Sequence, residues 1–170
     1  MKNFLLLILL GISFNGFTQD WKQISCGTEF SVGLQSDGTL WTWGFNGSGQ
    51  LGTGNTDTKL RPVKVGLEKW LAADAGSFHT IAIKEDGTLW AWGYNDQGQL
   101  GIGNRDDQIS PVQVGTDNDW VFVSAGWVQS FGIKSDGSLW AWGYNEYKAL
   151  GLDTAENFIV KPVQVGTDTD

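Results

Sequence analysis

"DGTLWAWGYNDQGQLGIGN", residues 86–104, joins an Asp-Gly pair to two tryptophans and a glycine-rich tail. Close copies occur at 37–55, "DGTLWTWGFNGSGQLGTGN", and at 136–154, "DGSLWAWGYNEYKALGLDT". The Asp-Gly pairs are 49 and 50 residues apart (86 − 37 and 136 − 86). The same intervals separate three further tryptophans, Trp21, Trp70 and Trp120. Because a fixed period of about 20–50 residues is typical of repeat architectures, the sequence predicts three copies of one structural unit.

The glycines of the first copy match the spacing of a dinucleotide-binding loop, since residues 47–52 read G-x-G-x-x-G. Such a loop holds the phosphate at a helix N-terminus. The segment that follows consists of turn formers and β-branched residues and ends at Pro62, with no helical period. The second copy lacks the first of these glycines, and the third copy lacks the first two. We therefore expect the glycines to form turns, and we expect no cofactor.

Each copy predicts a β-hairpin centred on its Asp-Gly pair. In "SVGLQSDGTLWTW", residues 31–43, the pair lies between two runs of alternating character, as in antiparallel strands joined by a two-residue turn. A turn of two residues places Leu34 opposite Trp41. It likewise places Val32 opposite Trp43. These four bulky side chains would share one face of the sheet and leave small residues on the other.

Sheets with one bulky and one bare face can stack on copies of themselves, as the blades of a β-propeller do. Each buried tryptophan would contribute roughly 2–3 kcal/mol to such a stack. The sequence holds ten tryptophans and 24 glycines, which fits strands alternating with tight turns. Paired tryptophans could also form a platform for carbohydrate, although their regular recurrence favours a core. We predict an all-β chain of three four-stranded antiparallel repeats at about 21–69, 70–119 and 120–170.

The three copies resemble the regulator of chromosome condensation repeat in the motifs A-G-x-x-H-T, D-G-x-L-W-x-W-G-x-N and G-Q-L-G-x-G. The resemblance covers residues 21–170 and implies a propeller that usually has seven blades, of which this chain supplies three. Two copies depart from the pattern at the histidine, where Phe30 and Gln129 align with His79. The third also departs at Lys148 in the glycine loop. We expect the chain to be a fragment of a longer repeat protein or to assemble with further blades.

The N-terminus differs from the repeats. Lys2 precedes an apolar run at 4–12, and small or polar residues follow it. This pattern predicts a signal peptide at 1–18 and a mature chain that begins at Gln19. The run is shorter than the roughly 18 residues of a membrane span, so we expect no span in the mature chain. We expect the protein to be secreted, periplasmic or on the cell surface, with Cys26, its one cysteine, outside any intrachain disulfide.

The formal net charge is −8, without a cluster of lysine or arginine, so nucleic acid is not an expected partner. His79 is the only histidine, which excludes a catalytic triad or a multi-histidine metal site within this chain. We expect no metal site, catalytic constellation or enzyme activity. Acidic loop tips, such as those at 106–107 and 117–119, have oxygen ligands for calcium but lack the spacing of a dedicated loop, which favours solvated turns.

Candidate binding residues are those at which the copies disagree. Trp127 replaces Thr28 and Ser77 of the other copies, and Phe78 and His79 lie in the same loop register. One further aromatic residue, Tyr147, follows the Trp-x-Trp-Gly strand where the other copies have Ser48 and Gln97. A secreted bacterial propeller of the same repeat type inhibits β-lactamases through aromatic residues on this rim. That resemblance implies a binding rim formed by Trp127, Phe78 and Tyr147. His79 lies beside them as a candidate, although its recurring position favours a turn histidine bonded to backbone. The alternative for Trp127 is that its ring packs onto the neighbouring blade.

Three function hypotheses follow from these observations. The leading one is a secreted, non-catalytic module that binds a protein or a glycan. The second is guanine-nucleotide exchange, the activity of the founding member of the family, which export contradicts because small GTPases are cytosolic. The third is an enzyme, which the single histidine and the lack of paired carboxylates at recurring strand ends disfavour. A structural part of a larger cell-surface protein is a further alternative.

Overall fold

The computed structural model describes residues 20–166. In this part the chain forms twelve β-strands and no helix, and the strands make three four-stranded antiparallel sheets. The predicted signal peptide at 1–18 and the predicted mature N-terminus, Gln19, lie outside the described residues. No helix of the described part is long and apolar enough to cross a bilayer. The prediction of an all-β chain of four-stranded antiparallel repeats is confirmed.

Each sheet is one blade, and its strands pair in chain order. Blade 1 contains β1 (Trp21–Cys26), β2 (Phe30–Gln35), β3 (Leu40–Gly44) and β4 (Lys59–Lys64). Blade 2 contains β5 (Trp70–Ala75), β6 (His79–Lys84), β7 (Leu89–Gly93) and β8 (Gln108–Gln113). Blade 3 contains β9 (Trp120–Ala125), β10 (Gln129–Lys134), β11 (Leu139–Tyr144) and β12 (Phe158–Gln164).

The turn between β2 and β3 is one residue longer than the Asp-Gly pair predicts. The backbone N–H of Gln35 donates to the carbonyl of Thr39 at 2.9 Å, which closes a loop of three residues. Gly38 ends this loop at a φ of +80°, in the left-handed region. The Asp37 carboxylate accepts hydrogen bonds from the backbone N–H and the hydroxyl of Thr39 at 2.9 and 2.7 Å. Three-residue hairpin loops of this kind combine a type I turn with a left-handed glycine.

The longer loop shifts the strand register by one residue. Leu34 pairs with Leu40, and Trp41 pairs with Gly33. The prediction that Leu34 lies opposite Trp41 is therefore wrong. The prediction that Val32 lies opposite Trp43 is also wrong, since Val32 pairs with Thr42. Since paired residues share a face, aliphatic side chains and tryptophans lie on opposite faces of each sheet. The aliphatic face of blade 2 carries Ile81, Ile83 and Leu89, and its tryptophan face carries Ala82, Trp90 and Trp92.

The tryptophan face of one blade packs on the aliphatic face of the preceding blade. Trp92 of blade 2 lies in a core with Leu34 and Leu40 of blade 1, and Trp142 of blade 3 repeats the arrangement against blade 2. The buried indole N–H of Trp92 donates to the carbonyl of Gln50 at 3.0 Å. Each junction therefore buries a large aromatic ring and also pairs its polar atom.

Two sheet faces have no neighbouring blade within residues 20–166. One is the tryptophan face of blade 1, where Trp21 is 38% exposed. The other is the aliphatic face of blade 3, where Leu139 is 38% exposed and Val163 is 43% exposed. One open face thus carries tryptophans and the other carries aliphatic side chains, like the two faces that pack together at each junction between blades.

Candidate binding site on the loop rim

We use the term loop rim for the end of the sheets at which the loop between the first and second strand of each blade meets the loop between the third and fourth. Backbone hydrogen bonds join the two loops in every blade. Tyr94 N–H donates to the carbonyl of Phe78 at 2.8 Å, and Tyr144 N–H donates to that of Val128 at 3.0 Å. In blade 1 the Phe45 N–H donates to the carbonyl of Glu29 at 2.8 Å. The rim is therefore a scaffold tied to the strand ends.

A buried asparagine fixes each long loop after the third strand of a blade. In blade 2 the Asn95 Oδ1 accepts from the backbone N–H of Leu100 at 2.9 Å. Its Nδ2 donates to the carbonyls of Asn104 and Asp106, both at 3.1 Å. Asn46 makes equivalent hydrogen bonds in blade 1. One side chain thus organises about twelve residues of loop on each blade.

A glycine of the first copy allows blades 1 and 2 to pack closely. A Cβ at Gly52 would lie 2.7 Å from the indole nitrogen of Trp92 in the next blade, so only glycine allows this approach. In blade 3 Lys148 aligns with a left-handed glycine of the other copies and keeps the left-handed conformation, at a φ of +59°. The expectation that these glycines form turns agrees with the observed loops.

The loop rim carries a groove lined mainly by aromatic side chains from all three blades. It encloses about 580 Å³. Its five aromatic residues are Phe45, Phe78, Tyr94, Trp127 and Tyr144, and Ser48, Gln97 and Val128 complete the lining. None of these eight residues is charged at neutral pH. We call this feature the aromatic groove.

The structure brings together two of the four residues that the sequence singled out. Phe78 and Trp127 both line the aromatic groove, and Trp127 is 72% exposed. Tyr147 is 83% exposed but is not part of the lining. The His79 side chain is fully buried, so it is not available on the surface to a ligand.

His79 instead forms a link between blades 2 and 3. Its Nε2 lies 3.0 Å from the Ser130 hydroxyl, which donates to the carbonyl of Gln99 at 2.7 Å. Because the hydroxyl proton is used there, His79 must donate from Nε2 and carry no proton on Nδ1. Burial lowers the pKa of His79 from 6.5 to about 3. The ring is therefore neutral at physiological pH and acts as a structural donor.

Three aromatic residues of the groove are not among the candidates that the sequence indicates. Phe45, Tyr94 and Tyr144 occupy the same position in each copy, directly after the glycine of the Trp-x-Trp-Gly segment. Because the copies agree at this position, their comparison does not mark it as a binding position, but its side chains line the groove at the rim end of the strands. The aromatic residue after Trp-x-Trp-Gly was the available signal.

Carboxylates lie at the outer tips of the two groove tyrosines. The Tyr94 hydroxyl donates to Asp96 Oδ2 at 2.9 Å, and the Tyr144 hydroxyl donates to Glu146 Oε2. Burial and the hydrogen bond to Asp96 raise the pKa of Tyr94. The hydrogen bond to Glu146 and burial likewise raise the pKa of Tyr144. Both hydroxyls therefore remain protonated donors, which leaves negative charge beside an apolar surface.

Comparison with known proteins identifies the repeat. The family model for the Regulator of chromosome condensation (RCC1) repeat matches residues 37–83, 86–133 and 136–170, which is more than half of the chain. A second family model of the same description matches 21–50 and 72–99. Over 48 residues the chain is 42% identical to the human E3 ubiquitin-protein ligase HERC2, a match that covers 28% of this chain and 1% of HERC2.

Solved structures show the same fold. Prp20p from Saccharomyces cerevisiae superposes with a TM-score of 0.76 at 23% identity, covering 86% of this chain and 38% of Prp20p. Human WBSCR16 superposes with a TM-score of 0.75, also at 23% identity, covering 86% of this chain and 39% of WBSCR16. The chain thus spans less than half the length of these solved proteins. Its three matched repeats and its three blades show that the chain belongs to the regulator of chromosome condensation repeat family.

Proposed function

We propose that this protein is a secreted, non-catalytic binding module that holds a partner protein in the aromatic groove. The observation that carries the proposal is the gathering of five aromatic side chains from three blades into one open groove. Exposed aromatic residues on a rigid scaffold are typical anchors of protein interfaces. Because backbone hydrogen bonds tie the rim loops together, ordering the groove requires little of the binding energy.

Trp127 is the central residue of this proposal. Thr28 and Ser77 occupy its position in the other two copies, so the blade itself does not require a tryptophan there. Its ring is mostly exposed and lines the groove together with Phe78. A tryptophan that the fold does not need and that remains accessible is best explained by a ligand.

The other parts of the proposal rest on the sequence. The signal-peptide pattern at 1–18 supports export, and mass spectrometry of secreted material should find Gln19 at the N-terminus. A glycan is the alternative ligand, since sugars also stack on aromatic rings. The open faces of blades 1 and 3 support assembly with further blades.

Nucleotide exchange is the second hypothesis. A crystal structure of Prp20p is described together with its binding to Gsp1p and histones. At 23% identity this likeness shows the fold alone, so it carries no partner over to this chain. The predicted signal peptide favours the binding module, because an exchange factor for a cytosolic GTPase would have to remain in the cell.

The proposal is tested by binding a partner to matched variants. Immobilised mature protein should retain a partner from the culture supernatant, and Trp127→Ala should weaken that binding by about 30-fold, as expected for an aromatic anchor. Phe122→Ala is the control, because Phe122 is also an exposed aromatic residue but does not line the groove. Equal binding by the wild type and both variants would reject the groove as the binding site.

A further inference from the structure

The end of the sheets opposite the loop rim shows how this fold holds a cation. The Lys134 ammonium lies 5.1 Å from the ring centroid of Trp120 and 4.6 Å from that of Trp140. It also pairs with Asp117 at 2.6 Å and with Asp119 at 3.3 Å. Aromatic faces and carboxylates together therefore enclose one positive charge.

Blade 2 repeats this arrangement. The Lys84 ammonium lies 3.5 Å from the ring centroid of Trp90 and 5.5 Å from that of Trp70. Glu68 supplies the carboxylate at 3.9 Å. The fold thus places a lysine against tryptophan rings and acidic groups at two of its three blades.

The aromatic groove has the same components without the cation. Its lining contains five aromatic rings and no lysine or arginine. Asp96 and Glu146 accept hydrogen bonds from the two tyrosine hydroxyls of the lining. Among the ion pairs within residues 20–166, none includes either of these carboxylates.

The two basic side chains of the rim loops are held by backbone carbonyls of those same loops. The three long loops at 45–58, 94–107 and 144–157 hold seven acidic residues and two basic ones, Arg105 and Lys148. The Arg105 guanidinium lies 4.3 Å from the ring centroid of Phe158 and donates to the backbone carbonyl of Asp96, so it is close to one of the two carboxylates but forms no ion pair with it. Lys148 donates to the carbonyl of Thr154. The loops around the groove therefore carry excess negative charge, and neither of their two basic side chains belongs to the lining of the groove.

We propose that the aromatic groove binds a basic segment of a partner protein, with a lysine or arginine side chain against the rings and its charge facing Asp96 and Glu146. Cation–π contact with tryptophan and tyrosine is the attraction that the rings provide. The carboxylates add charge complementarity and speed the encounter. A neutral glycan would use the rings but gain little from the charges. This inference rests on the proposed function and names the chemistry of the partner.

The test uses the mature chain and three hexapeptides that alternate glycine with lysine, arginine or glutamate. Binding is measured by calorimetry and by the NMR signal of the Trp127 indole N–H. We expect the lysine and arginine peptides to bind and to shift that signal, with affinity that falls as salt rises. The double variant Asp96→Asn and Glu146→Gln keeps acceptors for both tyrosines and should weaken binding about fivefold. Asp86→Asn, a loss of exposed charge at the opposite end, should change it less than twofold.

Each outcome bears on the inference. Equal binding of the lysine and glutamate peptides, or no binding of either basic peptide, overturns it, as does an unchanged affinity in the double variant. Binding of a neutral glycan such as chitohexaose in place of the basic peptides would overturn it as well. The proposed function has a separate test, because a natural partner that still depends on Trp127 would show a binding groove with a different preference.

Discussion

The blade junctions and the aromatic groove both contain tryptophan, but the junction tryptophans and Trp127 of the groove differ in burial and in repetition. In the junctions Trp92 and Trp142 occupy the same position of successive copies, are buried, and donate to backbone carbonyls at 3.0 and 2.9 Å. In the groove Trp127 has no counterpart in the other copies, and most of its surface is exposed.

This difference separates two uses of one residue type. A tryptophan that recurs and has its indole N–H satisfied by the preceding blade contributes to stability, since its removal would leave a cavity between the blades. A tryptophan that occurs once and faces solvent contributes little to the fold and is free for recognition. Substitution of a junction tryptophan should therefore lower stability, whereas substitution of Trp127 should weaken binding.

The largest effect is expected at a junction. Trp92→Ala should lower the free energy of unfolding by about 3–5 kcal/mol, because it opens a cavity between blades 1 and 2. Trp43→Ala is the matched variant, since Trp43 occupies the same repeat position on the open face of blade 1 and is only partly buried. In denaturant titrations, the loss of unfolding free energy caused by Trp43→Ala should be smaller than that caused by Trp92→Ala by at least about 1 kcal/mol. Equal costs would show that burial at the junction does not distinguish the two tryptophans.

The next effect concerns the asparagines that hold the rim loops. Asn95→Ala should cost about 2–3 kcal/mol, because it leaves buried carbonyl and N–H groups of the loop without partners. Asn145→Ala should cost less, since Asn145 accepts from Leu150 N–H at 3.2 Å and donates to the carbonyl of Glu156 at 3.4 Å. The equivalent bonds of Asn95 are 2.9 and 3.1 Å long. Thermal unfolding of the two variants checks this order. A larger loss of stability in Asn145→Ala than in Asn95→Ala would show that hydrogen-bond length does not predict the contribution of each asparagine to stability.

The link between blades 2 and 3 predicts a dependence on pH. Burial lowers the pKa of His79 to about 3 from the 6.5 of an exposed histidine. Below pH 6.5 the unfolded chain takes up a proton that the folded chain does not, so the contribution of His79 to stability falls as pH falls from 6.5 towards 3. The loss should reach about 2 kcal/mol at pH 5.

The control for this prediction is His79→Gln, which follows the glutamine at the equivalent position of the third copy, Gln129. This variant can still donate to Ser130 and has no proton to gain. Its free energy of unfolding should therefore change less between pH 7 and pH 5 than that of the wild type. Parallel pH profiles for the two proteins would contradict the assignment of a neutral, buried imidazole.

The fold could be predicted from the sequence except for the register of its hairpins. The repeat interval and the tryptophans indicate blades, but an Asp-Gly pair occurs in two-residue turns and also in three-residue loops. The choice depends on backbone angles at Asp37 and Gly38, which the residue types do not fix. The structure shows the longer loop, and this single extra residue moves Trp41 to the other face of the sheet.

Only those groove residues at which the copies differ could be predicted from the sequence. Trp127 and Phe78 were found because they break the repeat, whereas Tyr94 and Tyr144 were missed because they preserve it. A repeated aromatic residue is buried if its position faces a junction and exposed if it lies at the rim end of a strand. That distinction depends on how the loops fold back, which Asn95 and its hydrogen bonds decide.

The smallest effect on stability is expected at Trp127. Its ring is 72% exposed, so Trp127→Ala should change the free energy of unfolding by less than about 1 kcal/mol and the melting temperature by no more than a few degrees. The same substitution should weaken the binding of a captured partner. Scanning calorimetry and a binding titration on one preparation check both expectations. If the variant instead unfolds as readily as Trp92→Ala while its folded fraction binds normally, Trp127 supports the blades and the partner binds elsewhere.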